Sequence, residues 1–377
     1  MSRPSVIVVG LGAVGSATAL HLARAGAEVV GIDRWHPPHA MGSTHGGSRV
    51  TRATAWEGQQ YLPLVARAQE LWRALAAETG TRYFDPCGGL FIGHEREYFI
   101  DGTLRSARDA GLAHELLDRA EMARRWPELQ VPEGMVGVVD PAAGVLFPER
   151  IVADQLRVAA GFGAEFVFDC EVTDWAPLHG GGVGLSTTIA KVRADRVVFC
   201  SGPWMGEMLE EVGVATQVER VTQHWFDVPA GAPSRGKTPV LLLSDGHGYA
   251  TAAFPEDGGR IKVAGHGSGR LGRIEDVDRE VHADDIDPAA ALVRSYLPQH
   301  LGAYRESAVC LYTKTPDGHF VIDRHPDCAD AILASACNGF GFKFSSAVGE
   351  MLATEVLERD APVDVAPWRL GTRFGSG

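Results

Sequence analysis

Three short runs, at residues 5–10, 28–33 and 197–202, are apolar without polar alternation and rich in β-branched side chains. Such runs predict parallel strands buried on both faces. Between the first two, residues 14–24 place apolar side chains at helical spacing, and Gly26 follows as a helix stop. Strand, helix and strand thus form a βαβ unit within the first 33 residues. Residues 61–78 predict a long helix, with Leu64, Ala68, Leu71, Trp72 and Leu75 on one face. Residues 105–125, 149–161 and 345–357 predict further helices. Strands and turns are expected over 131–148, and strands over 164–175 and 187–200 around a glycine-rich hairpin at 180–184. Residues 239–243 and 259–265 suggest another sheet, and 331–336 a late buried strand. The apolar runs near the start, middle and end make one α/β unit, and the stretches between them a mixed or antiparallel unit. The two are expected to be interleaved along the chain.

The chain has 377 residues, 45% hydrophobic and 22% charged, which suits a soluble globular protein of two domains or one elaborated one. Its 35 basic and 48 acidic residues give a net charge of −13 with no basic stripe, which argues against nucleic acid as a partner. No apolar run of about 18 residues predicts a membrane span. The six cysteines form no C-x-x-C pair and have no zinc-like His spacing, so no metal site is expected. With no secretory leader pattern at the amino end, free thiols and a cytoplasmic location are expected.

Gly10-Leu-Gly12-Ala13-Val14-Gly15 is G-x-G-x-x-G, set between the first strand and the first helix. The glycines allow a tight turn, close approach of a pyrophosphate and close helix–strand packing, and the helix amino end favours phosphate. Asp33 closes the second strand, where an acid accepts a ribose hydroxyl. These features predict a dinucleotide and do not separate NAD from FAD. A Gly/Ser/Thr-rich loop at 42–52, carrying His45, Arg49 and Arg52, follows.

With that loop, with 309–323 (VCLYTKTPDGHFVID), with 338–350 (NGFGFKFSSAVGE) and with Cys200-Ser201-Gly202-Pro203-Trp204, the chain resembles the monomeric sarcosine oxidase and N-methyltryptophan oxidase family of flavin-dependent amine oxidases. The resemblance spans nearly the whole chain. It implies a Rossmann-like FAD-binding domain (1–80, 149–215 and 320–377) interleaved with a β-rich substrate domain of mixed or antiparallel sheet plus helices (81–148 and 216–319). It implies FAD held by Gly10, Gly12, Ala13, Val14, Gly15, Asp33 and Arg34, by Ser43, Thr44 and Arg49, and by Val172, Ser201, Gly202 and Trp204. Gly339, Gly341, Phe342 and Lys343 complete that set. Cys310 sits where the family joins its cysteine by a thioether to the 8α carbon of the flavin. Lys262 matches the lysine that promotes reaction with oxygen, and His266 a modulating histidine. Arg49 matches a cation beside the flavin ring, and Arg52 and Lys343 the pair that holds a substrate carboxylate. His45 and His266 are the candidate proton acceptors.

Two departures bear on the substrate. Ala252 stands where sarcosine-oxidising members have tyrosine, and Phe340 where they have histidine. The first enlarges the pocket and the second makes it more apolar, so a secondary amino acid bulkier than sarcosine is expected, with O2 as acceptor. The expected chemistry is hydride transfer to flavin N5, imine hydrolysis and formation of H2O2. Oxidation of a cyclic imino acid such as proline or pipecolate, an NAD(P)-linked dehydrogenase and a non-catalytic flavoprotein are the alternatives. The family name suggests a monomer.

Overall fold

The computed structural model describes residues 3–229, 238–248, 250–256, 259–267, 269–371 and 373–374. Strand β1 (Ser5–Val9), helix α1 (Ala13–Arg24) and strand β2 (Glu28–Ile32) form the expected βαβ unit, with β1 and β2 parallel. Gly26, at φ +88°, ends α1 and turns the chain back into β2. β1 and β2 belong to a six-stranded sheet whose other members are Glu165–Val167, Arg196–Phe199, Cys328–Ser335 and an antiparallel edge, Val321–His325. All its strands therefore come from the start, middle and end of the chain.

One face of this sheet is covered by α1, by α2 (Leu62–Thr79) and by a late helix, Ser345–Val356. Gly349 on the late helix lets it touch α1, since a Cβ there would sit 2.5 Å from the Ala17 Cβ. α2 ends at Gly80 in the left-handed conformation, φ +70°.

The second unit is a nine-stranded mixed sheet. Its strands lie between residues 89 and 140 and between 217 and 314. Its long members are β3 (Gln217–Asp227) and β6 (Tyr304–Lys314), paired antiparallel along almost their full length. On the other edge of β3 lie β4 (Arg260–His266) and the short β5 (Arg270–Gly272). Helix α3 (Ala283–Tyr296) packs Ala289, Ala290 and Val293 against Ile261 and Val263 of β4.

Three expectations change. Residues 105–125 are not one helix. The helix Tyr98–Asp109 stops before Gly111 (φ +63°), a strand Glu115–Leu117 follows, and Asp118 caps a new helix, Arg119–Arg125, through the Glu121 N–H. The expected strand over 164–175 is two strands in different sheets, Glu165–Val167 and Val172–Pro177, separated by Asp169 at φ +53°. The expected strand over 187–200 likewise divides into Lys191–Ala194 and Arg196–Phe199.

Gly349→Ala forces apart two helices whose backbones meet. We expect it to destabilise the protein by about 1–3 kcal/mol, the usual cost of overpacking, read as a lower thermal unfolding midpoint.

Candidate active site

One large cavity, of ≈ 320 Å³, runs from the βαβ turn to the face of the nine-stranded sheet. At its first end, Gly10 (φ +84°) turns under Cys200, whose carbonyl oxygen would lie 2.7 Å from any Cβ. Gly15 packs on Gly10, with 1.8 Å left for a Cβ, so it shapes the turn without lining the cavity. Gly12, at the cap position of α1, has no side chain of its own to cap the helix, and Gly12, Ala13 and Val14 line the cavity there. The Ala13 N–H reaches the Thr44 hydroxyl at 3.3 Å.

The buried Asp33 carboxylate accepts the Leu11 N–H at 2.7 Å and the Trp35 N–H at 2.9 Å. It therefore pins the glycine turn to the end of β2 while still facing the cavity. Trp35 leans on Trp204 at 4.8 Å, and Arg34 lies 5.1 Å over Trp35. Val172, Ser201 and Gly202 complete this rim. A helix amino end whose cap position is a glycine, a cradle of glycines and an orphaned buried hydroxyl on Ser345 fit the pyrophosphate and ring system of FAD. Gly339, Gly341 and Phe342 also line the cavity, and a Cβ on Gly339 would strike the Tyr312 ring at 2.8 Å.

At the sheet end, pairing of β3 with β6 sets Cys310 opposite Val221. Its thiol lies 3.5 Å from Arg49 Nη2, and burial pushes its pKa up while Arg49 pulls it down. Arg49 donates to the Ser43 carbonyl at 2.7 Å and the Ser48 carbonyl at 2.8 Å. On β4, alternation turns Lys262, Ala264 and His266 into the cavity and Ile261 and Val263 towards α3. Lys262 is 1% exposed; its Nζ donates to the carbonyls of Ser48 (2.7 Å) and Gly46 (3.0 Å) and stands 4.3 Å over the Phe254 ring. Burial pushes His266 down to about 4, helped by Lys314, so its imidazole is neutral near pH 7.

His45 differs from expectation. It lies behind the wall near Arg49, Glu149 and Lys262, outside the cavity lining, with burial and Arg49 holding it near 4. Its ring is therefore neutral near pH 7.

Arg52 and Lys343 come together as expected, on a partner that sequence reading missed. Both bind the same oxygen of buried Glu57: Arg52 Nη2 at 2.5 Å and Lys343 Nζ at 2.9 Å. Arg52 also stacks at 3.3 Å on Trp56. Burial would raise the Glu57 pKa, but Arg52 and Lys343 hold it at about 2. Burial pushes Lys343 down to about 7 against the pull of Glu57. Two cations against one carboxylate leave one positive charge for a monoanionic ligand. Glu57 lies in Ala-Trp-Glu-Gly-Gln-Gln, which carries no motif; only the rule that buried cations need partners points to it. Tyr312 and Gln223, also in the lining, were missed too. Ala252 lines an apolar bay with Trp56, Phe91 and Leu242, and Phe340 lies 5.4 Å from Phe320 and 5.6 Å from Tyr61. No group of three metal-ligating side chains occurs among the described residues, and no helix among them is long and apolar enough to cross a membrane.

The profile of the FAD dependent oxidoreductase family matches residues 5–355. The monomeric sarcosine oxidase of Streptomyces avermitilis is 37% identical over 358 residues, 93% of each chain. The N-methyl-L-tryptophan oxidase of Yersinia pestis is 31% identical over 369 residues, 97% of this chain and 98% of its own. Among solved structures, the open form of NikD, an unusual amino acid oxidase essential for nikkomycin biosynthesis, superposes with a TM-score of 0.85 at 21% identity, covering 98% of both chains. Glycine oxidase from Geobacillus kaustophilus gives 0.79 at 22%, covering 98% of this chain and 99% of its own. At those identities they show the fold.

The clamp yields a pH test. Lys343 is charged below about 7 and loses its charge above it. An amine-free carboxylate ligand is expected to bind more weakly as pH rises through that value. Glu57→Gln removes the anion that holds the Lys343 pKa up against burial, so the fall in binding should begin at lower pH in the variant than in the wild type, measured by titration across pH. An unchanged pH profile would mean that Glu57 does not set the charge of Lys343.

Proposed function

The chain belongs to the FAD-dependent oxidoreductase family and is a flavin-dependent amine oxidase of the sarcosine-oxidase type, and on that premise we propose that its substrate is a secondary amino acid bulkier and more apolar than sarcosine. The observation that carries this reading is the paired clamp of Arg52 and Lys343 beside the bay opened at Ala252. Arg52 offers a planar fork and Lys343 a point charge to the carboxylate. The bay and Phe340 receive an apolar group and exclude water from it. FAD, when bound, takes up the hydride equivalent from the C–H beside the amine nitrogen and passes the electrons to O2, giving H2O2. The imine released is hydrolysed, and an N-methyl substrate leaves formaldehyde and the primary amino acid.

The amine enters neutral in this reading, so no side chain has to remove its proton. His266, with its depressed pKa, adds no charge to compete for the carboxylate. Lys262 is fixed by two carbonyls and an aromatic face, and so is placed in advance for charge that develops on oxygen. We further propose that Cys310 carries the flavin as an 8α thioether, with Arg49 stabilising the thiolate. The division of the chain near residues 80, 148, 215 and 319 belongs to the same reading, supported by the segregation of strands between the two sheets.

A panel scored for peroxide tests the substrate. N-methyl amino acids with aromatic or branched side chains are expected to exceed sarcosine in kcat/KM by about tenfold or more, the order set by burying an additional apolar group. Proline or pipecolate exceeding every N-methyl substrate would move the reading to oxidation of a ring C–H. Flavin fluorescence should remain with the denatured polypeptide on a gel and be lost in Cys310→Ala. In rapid mixing, Lys262→Met is expected to slow reoxidation strongly while flavin reduction by substrate changes little; an equal fall in both would remove Lys262 from the oxygen reaction.

A further inference from the structure

The nine-stranded sheet is interrupted beside the active site. The β3–β4 ladder ends at Gln223 opposite Ala264, and the β3–β5 ladder begins at Arg220 opposite Arg270. Val221 and Thr222 have no ladder partner on that edge among the described residues. Their other edge is fully paired with β6, Val221 with Cys310 and Thr222 with Val309.

A second cavity, of ≈ 180 Å³, lies on the α3 side of this gap. Its walls include Thr222, Gly269, Pro288 and Ala289. Val221 and Gly265 line both cavities. Alternation along β4 explains the opening. Ile261 and Val263 fill the space under α3, and the next position on that face is Gly265, which has no side chain to continue the filling.

We propose that this gap is a side port through which dioxygen reaches the active-site cavity from the α3 face, apart from the route taken by the amino acid; the proposal rests on the oxidase reading above. The port opens onto the strand that carries Lys262, three residues from Gly265. Its neck would lie between Val221 and Gly265, the two residues common to both cavities. The outer chamber carries Arg220, Arg270, Asp284 and Asp285; a zwitterion passing between Val221 and Gly265 would give up most of its hydration, whereas an uncharged diatomic sheds almost none. Arg220, the cation nearest the neck along β3, is already held by Asp285 at 2.8 Å and by the Asp278 carbonyl at 2.6 Å, so it offers no anion site. A separate entry lets oxygen arrive while product still fills the main cavity.

The test plugs the outer chamber at Thr222, which lines it and not the main cavity. Thr222→Cys holoenzyme is treated with a methyl or a benzyl methanethiosulfonate, and labelling is followed by peptide mass mapping, with wild-type protein treated in parallel. The flavin is then photoreduced, with no amine present, and mixed with oxygenated buffer. Native labelling at residue 222 is expected. The benzyl adduct should slow the second-order reaction with O2 about fivefold or more, the methyl adduct less. Thr222→Phe should behave like the benzyl adduct. No labelling in the folded protein, or full labelling with an unchanged oxygen rate, would overturn the port. Because the flavin is reduced by light, a port that responds in a protein that oxidises no amine would sink the substrate reading alone. An unchanged oxygen rate in an active amine oxidase would sink the port alone.

Discussion

Charge buried beside an apolar ring system has to be held, and that requirement organises this cavity. Four cations, Arg49, Arg52, Lys262 and Lys343, face a lining that also includes Trp56, Phe91, Phe254 and Phe340. None is left to water. Arg49 and Lys262 are held mainly by main-chain carbonyls of the loop at 43–48, and Arg52 and Lys343 share Glu57. The two solutions differ in consequence. Carbonyl partners fix a cation without cancelling its charge, which suits groups that act on a cofactor and on oxygen. A single carboxylate shared by two cations cancels one of their two charges, which leaves one positive charge for the carboxylate we propose they bind.

The loop at 42–52 is therefore the joint of the molecule. It leaves the βαβ unit, gives its carbonyls to Arg49 and to Lys262 of the opposing sheet, and returns as the strand Arg49–Thr51. Its glycines follow from that crowding. Gly46 has φ +92°, and a Cβ there would lie 2.2 Å from the Gln223 amide oxygen. A residue with a side chain would strain the backbone at that φ and displace the Gln223 amide, disturbing the turn whose Gly46 and Ser48 carbonyls hold the lysine. The two sheets thus meet through backbone, which explains how one cavity can span two interleaved units.

The legible parts of the sequence were those where local pattern and tertiary role coincide. β1, α1 and β2 are mostly buried, so periodicity and burial agree. β3 and β6 were missed because charged residues break their apolar signal: Glu219 and Arg220 are buried with ionic partners, and Arg305 and Glu306 lie at an exposed strand end. α3 was missed because Pro288 lies within it and interrupts its helical pattern. In the site, the cations and Cys310 were found by resemblance, since a lysine on a strand or an isolated thiol has no signature of its own. Glu57 was visible to neither route: a single acid after a tryptophan reads as surface until two cations are known to be buried next to it. His45 shows the opposite failure, a residue in the right loop whose ring lies behind the wall.

The two departures that shape the pocket act in different ways, and their surroundings decide which one sets its size. Phe340 is one ring in a stack with Tyr61, Phe320 and Phe344, each within 6.3 Å of it. That wall is braced and cannot recede to admit a larger group. Ala252 sits on a strand paired on both edges, with its small side chain beside Leu242, Phe91 and Trp56. Space exists there because a side chain is missing, and the frame around it stays fixed. In the proposed binding mode, with the carboxylate at Arg52 and Lys343, extra bulk on the substrate is accommodated towards Ala252. On our reading, filling that position with a large ring would restrict the enzyme to small amines. Changing Phe340 would first loosen the aromatic stack behind the clamp, and with it the hold on Lys343, whose Nζ donates to the Phe340 carbonyl at 3.0 Å.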